Sequence, residues 1–194
     1  TRNPGVPATG TGNLSITQNA LNLLEQRSRA GEDRRTLWNA ESMFDVARLV
    51  GDALREVKNL DGPFLSQNNI DSSANFPIGG QIRGEPPRLF HVYSEGNFIE
   101  ATPDTCYFQI GETKYGRPII LRGYDPDMSF EDAVKLLMVS FDSTLKANLS
   151  VGLPLDLLVI EHDTFEALHS RRINADDPYF RAVSSLWGEA LKQA

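Results

Sequence analysis

Apolar residues recur at helical spacing in four stretches of the chain and crowd into short runs between them. The first stretch, LSITQNALNLLEQRSRA, places Ile16, Ala20, Leu23, Leu24 and the Arg27 stem on one stripe, with Ser15 as cap and Gln18 as its capping-box partner. The second predicts a helix from Ala40 to Leu60. Met43, Val46, Ala47, Val50, Ala53, Leu54 and Val57 form its apolar face, Asp45, Arg48, Asp52, Arg55 and Lys58 a solvated one, and Gly62-Pro63 its end. The third follows Ser129 as N-cap, has Glu131 and Asp132 in its first turn, and aligns Phe130, Ala133, Val134, Leu137, Phe141 and Leu145. The fourth starts at Pro178 and buries Tyr179, Val183, Leu186 and Ala190.

Between the second and third helices the period changes. Leu89–Tyr93 and Asn97–Ile99 are rich in β-branched and aromatic residues and flank the turn Ser94-Glu95-Gly96-Asn97, so they predict a hairpin. Cys106–Ile110 predicts a further strand ending at Gly111, which makes an antiparallel meander in need of helical cover. Ala74–Arg83 reads as a strand at an edge or bulge, because Pro77 and Gly79-Gly80 do not suit a strand interior. Leu155–Ile160 is a short buried strand, and Asn68-Asn69 marks a turn. Helices on either side of strands indicate layers.

Composition narrows the function classes. A chain of 194 residues fits a single domain, expected to span 1–194. A net charge of −7 argues against nucleic acid or an anionic membrane as the main partner. The one cysteine, Cys106, excludes an internal disulfide and fits a reducing compartment. No apolar run reaches the roughly 20 residues that span a bilayer. The first twelve residues, with Pro4, Gly5, Pro7, Gly10 and Gly12, read as a loop and hold no apolar signal segment. A cytoplasmic protein is the expectation.

The common site chemistries are missing from the pattern. His91, His162 and His169 are the only histidines, and their spacing supports no metal site. His91 lies in an apolar strand, where a structural role is the plainer reading. Gly79-Gly80-Gln81 opens no dinucleotide-binding unit, there is no phosphate-binding loop, and no GxSxG elbow is present. Cys106 has no sequence-suggested base and reads as a structural thiol. Gly12-Asn13 sits just before the first helix, where backbone N–H groups are free to meet an anion; a plain loop-to-helix junction is the alternative.

Three ordered blocks carry a resemblance: GQIRGEPPRLF, GNFIEATPDTCYFQIGETKYG and SFDSTLKANLSVGLPLDLLV. With the Gly12–Gln18 junction, they make Gly10–Thr164 similar to proteasome-type β subunits, and within these to Anbu, the bacterial ancestral β-subunit group. The resemblance implies an α+β fold, a four-layer αββα sandwich of N-terminal-nucleophile hydrolase type with two antiparallel sheets between helix layers. It implies a Thr, Ser or Cys nucleophile whose own α-amine is the base, so no histidine is needed. It also implies a peptide or amide substrate, a homo-oligomer in a ring or spiral, and no cofactor.

Position by position, the resemblance assigns Gly12 to the oxyanion glycine and Gly10 to the wall of the substrate pocket. Asn148 takes the place of the family's aspartate near the nucleophile, Ser150 and Gly152 lie in the neighbouring turn, and Glu112 falls where proteasomes have a serine. Each has a plain alternative as a turn or cap residue. Thr1 is the nucleophile candidate, with a departure against it. It precedes Gly12 by eleven positions with no aspartate or lysine between them, too few for the family's strands. TRNPGV instead resembles the loop after the family's aspartate, so residues are expected to precede it. Three functions follow from the resemblance: a threonine-type peptidase or amidohydrolase in an assembly, a silent scaffold subunit, or a small-molecule amidase.

Overall fold

The structure, a computed structural model, describes residues 9–29, 35–165 and 167–193. The chain divides into two compact units, one of residues 1–110 with 160–168, the other of residues 111–159 with 169–194.

In the first unit, strands β1 (Thr11–Gly12), β2 (Ala74–Gly80), β3 (Arg88–Val92) and β4 (Phe98–Glu100) form one antiparallel sheet in sequence order. Phe76 lies opposite Val92, Ile78 opposite Phe90, and Val92 opposite Phe98. Side chains alternate across a strand, so Ala74, Phe76, Ile78, Phe90 and Val92 all project to one face and are buried. Helices α1 (Leu14–Arg29) and α2 (Met43–Gln67) supply the other half of that core through Ile16, Ala20 and Leu24 and through Met43, Val46, Val50 and Leu54. Fully burying one such side chain stabilises by about 1.5–3 kcal/mol. Past Asn75, β1 no longer accompanies β2, which leaves an edge where proline is tolerated, and Pro77 sits there.

Several expectations are corrected. Helix α2 begins after Ser42, whose hydroxyl accepts from the Asp45 N–H at 3.1 Å, and it runs through Gly62-Pro63 to Gln67. Proline removes only its own N–H bond and strains one turn. Beyond it, Asn68 closes the helix, its backbone N–H on Leu65 O and its amide nitrogen on Phe64 O, both at 3.0 Å. The end is Asn68-Asn69, with Asn69 left-handed at φ 56°. Arg55 is exposed on the expected charged face and Lys58 is half-buried there, and both also bond across to the β3–β4 turn. Arg55 Nε donates to Glu95 O at 3.0 Å, and Lys58 Nζ to Ser94 Oγ at 2.7 Å and Ser94 O at 3.0 Å. They clamp the β3–β4 turn onto α2. Gly51 and Gly96 allow the approach, since a Cβ on Gly51 would lie 2.2 Å from Gly96 O.

Cys106–Ile110 is not a strand. Phe108 stacks on His91 at 5.3 Å, so this segment crosses the face of the sheet opposite the helices instead of extending its edge. Cys106 is half-buried with a free thiol. Burial holds His91 below its usual pKa, and its Nε2 is buried without a partner among the described residues.

The second unit holds α3 (Arg117–Gly123), α4 (Phe130–Ala147) and α5 (Pro178–Gln193), with most of strands β5 (Leu155–Ile160) and β6 (Ala167–Ile173), which pair with each other. Ser129 caps α4 as expected, accepting from the Asp132 N–H at 3.1 Å. The apolar stripe expected on α4 packs only in part, through Val134 and Leu145. Met138, Ser140, Asp142 and Thr144 are buried, whereas Phe130, Leu137 and Phe141 are exposed. The helix is gripped on its flanks, by α3 at Leu136 and through Met138, Val134 and Leu145, and its crest stays open. On α5 the buried residue is Phe180, one position after the expected Tyr179, and Leu186 is 65% exposed. Asp177 caps that helix by accepting from the Phe180 N–H at 2.9 Å, which sets this phase.

Candidate active site

The residues assigned by resemblance fall into two groups, Gly10 and Gly12 in the first unit, and Glu112, Asn148, Ser150 and Gly152 in the second. Thr1 lies outside the described residues.

Gly12 ends β1 with φ 105°, a conformation that side chains rarely adopt, and a Cβ there would lie 2.2 Å from Ser73 O. Only glycine fits. The junction continues in Asn13, whose N–H donates to Ser73 O at 2.7 Å and whose amide nitrogen donates to Asp71 O at 2.8 Å. Asn13 Oδ1 accepts from the N–H groups of Ser15 at 3.0 Å and Ile16 at 3.2 Å, and from the Ser15 hydroxyl at 2.7 Å. Asn13 therefore caps α1, not Ser15. The cue was present, since asparagine ranks with aspartate and serine as the best cap. It also means that two first-turn N–H groups of α1 are already occupied. Beside them, the Ser73 hydroxyl and N–H hold the Asp71 carboxyl below its usual pKa. Gly10 is exposed but closely met: a Cβ would lie 2.7 Å from Thr17 Cγ2 and 2.9 Å from Phe76 Cε1. Thr17 in turn donates its hydroxyl to Asn13 O at 2.9 Å.

In the second unit the chain brings together residues 36 positions apart: Asn148 Nδ2 donates to Glu112 Oε2 at 2.7 Å. The other Glu112 oxygen accepts the Lys114 N–H at 2.8 Å. Asn148 Oδ1 accepts from the Ser150 N–H at 2.8 Å and from its hydroxyl at 2.7 Å. Local structure explains each position. Gly111, at φ 74°, turns the chain into the Glu112 loop, and Asn148 is the residue at which α4 stops. The Lys114 N–H, the Asn148 amide and the Lys114 charge together hold the Glu112 carboxyl below the usual carboxylate range. Glu112 is thus an anion at neutral pH with lone pairs to spare, suited to orienting an ammonium group. Ser150 directs its proton at Asn148 and has no base in this cluster. Gly152 lies two residues on, with open space where a Cβ would stand, so sterics do not require glycine there.

Other chemistry is sparse. His162 Nδ1 lies 3.3 Å from Asp163 Oδ2 at the surface. Among the described residues no three His, Cys, Asp or Glu side chains converge to hold a metal ion, and no helix is long and apolar enough to cross a membrane.

No protein-family model and no curated protein matches the chain. Solved structures do. Anbu (ancestral beta-subunit) from Yersinia bercovieri is 43% identical and superposes with a TM-score of 0.92, covering 100% of this chain and 80% of its own. Anbu from Hyphomicrobium sp. strain MC1 is 46% identical with a TM-score of 0.90, covering 100% of this chain and 81% of its own. The helical assembly of the Anbu complex from Pseudomonas aeruginosa is 43% identical with a TM-score of 0.90, covering 97% of this chain and 77% of its own. The shared fold is the proteasome-like α+β class, αββα in type, to which the five helices and two antiparallel sheets among the described residues conform.

Proposed function

The chain belongs to the Anbu family of proteasome-like β subunits, and on that premise we propose that it is an N-terminal-nucleophile peptidase or amidohydrolase working in a homo-oligomer. The observation that supports the reading is the hydrogen-bonded series Glu112–Asn148–Ser150, which holds an ionised carboxylate at positions to which the resemblance assigns a place beside the nucleophile. In this mechanism the N-terminal hydroxyl attacks the substrate's amide carbon while its proton passes to the α-amine. The oxyanion of the tetrahedral adduct accepts a backbone N–H, the role that the resemblance gives to Gly12. The C–N bond then breaks, the leaving amine takes the proton from the α-ammonium, and water hydrolyses the resulting ester. Glu112 steadies the ammonium through this cycle and keeps the amine directed at the hydroxyl. Losing one oxyanion donor typically lowers the rate by about 10²–10³. The hydroxyl belongs to the first residue of the mature chain, which is Thr1 only if nothing precedes it, and the substrate is a peptide or a smaller amide.

Gly12→Ala is a poor test, because its Cβ meets backbone at 2.2 Å and the fold would suffer with the site. Glu112→Gln keeps the shape and one acceptor oxygen for Asn148, at the loss of the oxygen that accepts the Lys114 N–H. On a panel of peptide and small amide substrates, this variant is expected to lose about 10²-fold or more in kcat, the usual contribution of a group governing proton transfer. The acid limb of its pH–rate profile should also move. Equal rates for parent and variant would sink the assigned role. A parent inert on every substrate would favour the scaffold reading, and cleavage of small amides alone would favour the amidase.

A further inference from the structure

A groove of about 420 Å³ runs between the end of α4 and one face of α5, floored by Leu153 and Phe180. Its α5 side is formed by Arg181, Ser184, Ser185, Gly188 and Lys192, at offsets that place them on one helical face. Lys146 of α4 reaches into it, donating to Ser184 Oγ at 3.0 Å while holding the buried Asp142 at 3.1 Å. Among the described residues Arg181 and Lys192 make no ion pair, and a Cβ on Gly188 would meet nothing within 4 Å. Eleven residues of helix separate Arg181 from Lys192, about 16 Å of axial rise. The groove is thus an open strip with two cations, Arg181 and Lys192, beside the Asp142-paired Lys146, and with the Glu189 carboxylate at its rim.

The complementary feature lies in the same unit. The turn joining α3 to α4 exposes Asp125 and Asp127, and the first turn of α4 exposes Glu131, none of them ion-paired among the described residues. Asp125 Oδ1 accepts the Asp127 N–H at 2.9 Å, which fixes both carboxylates on one turn. Phe130 beside them is 61% exposed. The corner is compact: the Met128 N–H donates to Asp125 O at 3.1 Å, and α4 begins at Phe130.

Resting on the reading of the chain as a homo-oligomer, we propose that the acidic corner Asp125–Asp132 of one copy seats in the α5 groove of the next, with Phe130 on the apolar floor. Assemblies that propagate helically need such a pairing of unlike surfaces, because a contact between identical patches closes after two copies. Charge pairs at an exposed rim set the orientation and rate of such an encounter, while a buried aromatic anchors it.

Sedimentation velocity on the mature protein tests this. Arg181→Glu with Lys192→Glu, and separately Asp125→Lys with Asp127→Lys, are each expected to weaken self-association at least tenfold; the first pair leaves melting unchanged because both side chains are exposed, and the second loses the Asp125–Asp127 hydrogen bond with a small drop in melting. The chain carrying all four changes is expected to regain assembly, since both surfaces are then reversed. An Arg181→Glu/Lys192→Glu protein that assembles like the parent overturns the proposal while leaving the homo-oligomer reading intact. So does a fourfold variant that stays dissociated. A parent that sediments as a monomer overturns both.

Discussion

Gly51→Ala offers a sharp test of how the sheet is held to its helix. Gly51 is buried in the middle of α2, where helix propensity alone favours alanine by about 1 kcal/mol. The structure reverses that sign. The new Cβ would stand 2.2 Å from Gly96 O and 3.1 Å from Gly96 C, whereas carbon and carbonyl oxygen ordinarily approach no closer than about 3.3 Å. The β3–β4 turn must therefore retreat by about 1 Å, which stretches the Lys58–Ser94 and Arg55–Glu95 hydrogen bonds. Overpacking costs about 1–3 kcal/mol and each weakened hydrogen bond about 1 kcal/mol. The net expectation is a loss of about 1–4 kcal/mol, or about 3–12 °C in Tm for a protein of this size. Gly188→Ala in α5 is the control: with open space around its Cβ, it should gain up to about 1 kcal/mol. Thermal and urea unfolding of both variants beside the parent decide the matter. A Gly51→Ala protein as stable as the parent, or more so, refutes the docking of the turn on α2.

Other consequences are simpler. Asn13→Ala removes the α1 cap and should cost about 0.5–2 kcal/mol in urea unfolding, whereas Ser15→Ala should cost less. Glu112 has a folded pKa below its unfolded one, so its stabilisation is present above the unfolded value and fades as pH falls through the folded one. The stability difference between parent and Glu112→Gln should therefore shrink on acidification, and a pH-independent difference would contradict the assignment. His91 has a folded pKa lowered by burial, so protonation favours the unfolded chain and stability should fall as pH drops through the ordinary histidine range. His91→Phe should flatten that part of the stability–pH curve.

The sequence made the first unit largely legible and the second much less so. Met43, Val46, Val50 and Leu54 follow the 3.6-residue period, and β3 and β4 flank an obvious turn, because both patterns arise from local burial. Lys58 and Arg55 look like solvent-facing charges by the same period, and only the tertiary approach of Gly96 to Gly51 shows that they clamp a turn. Helix α3 has seven residues, too short for any period to register, and β6, ALHSRRI, does not alternate. On α4 the apolar stripe is real, but the packing grips its flanks. At the site, the glycine of the α1 junction could be read from resemblance. The Glu112–Asn148 contact, 36 residues apart, depends on where α4 ends relative to the Gly111 turn, and no local pattern encodes that.

The claim that this chain is an N-terminal-nucleophile hydrolase is tested most directly by treating the mature protein with a peptide epoxyketone and locating the adduct by mass spectrometry. That electrophile forms its stable ring only with a nucleophile and a free α-amine on the same residue. The account predicts one adduct per chain, on the N-terminal residue, and slower labelling of Glu112→Gln. Labelling of Cys106 alone, or none at any concentration, would contradict it.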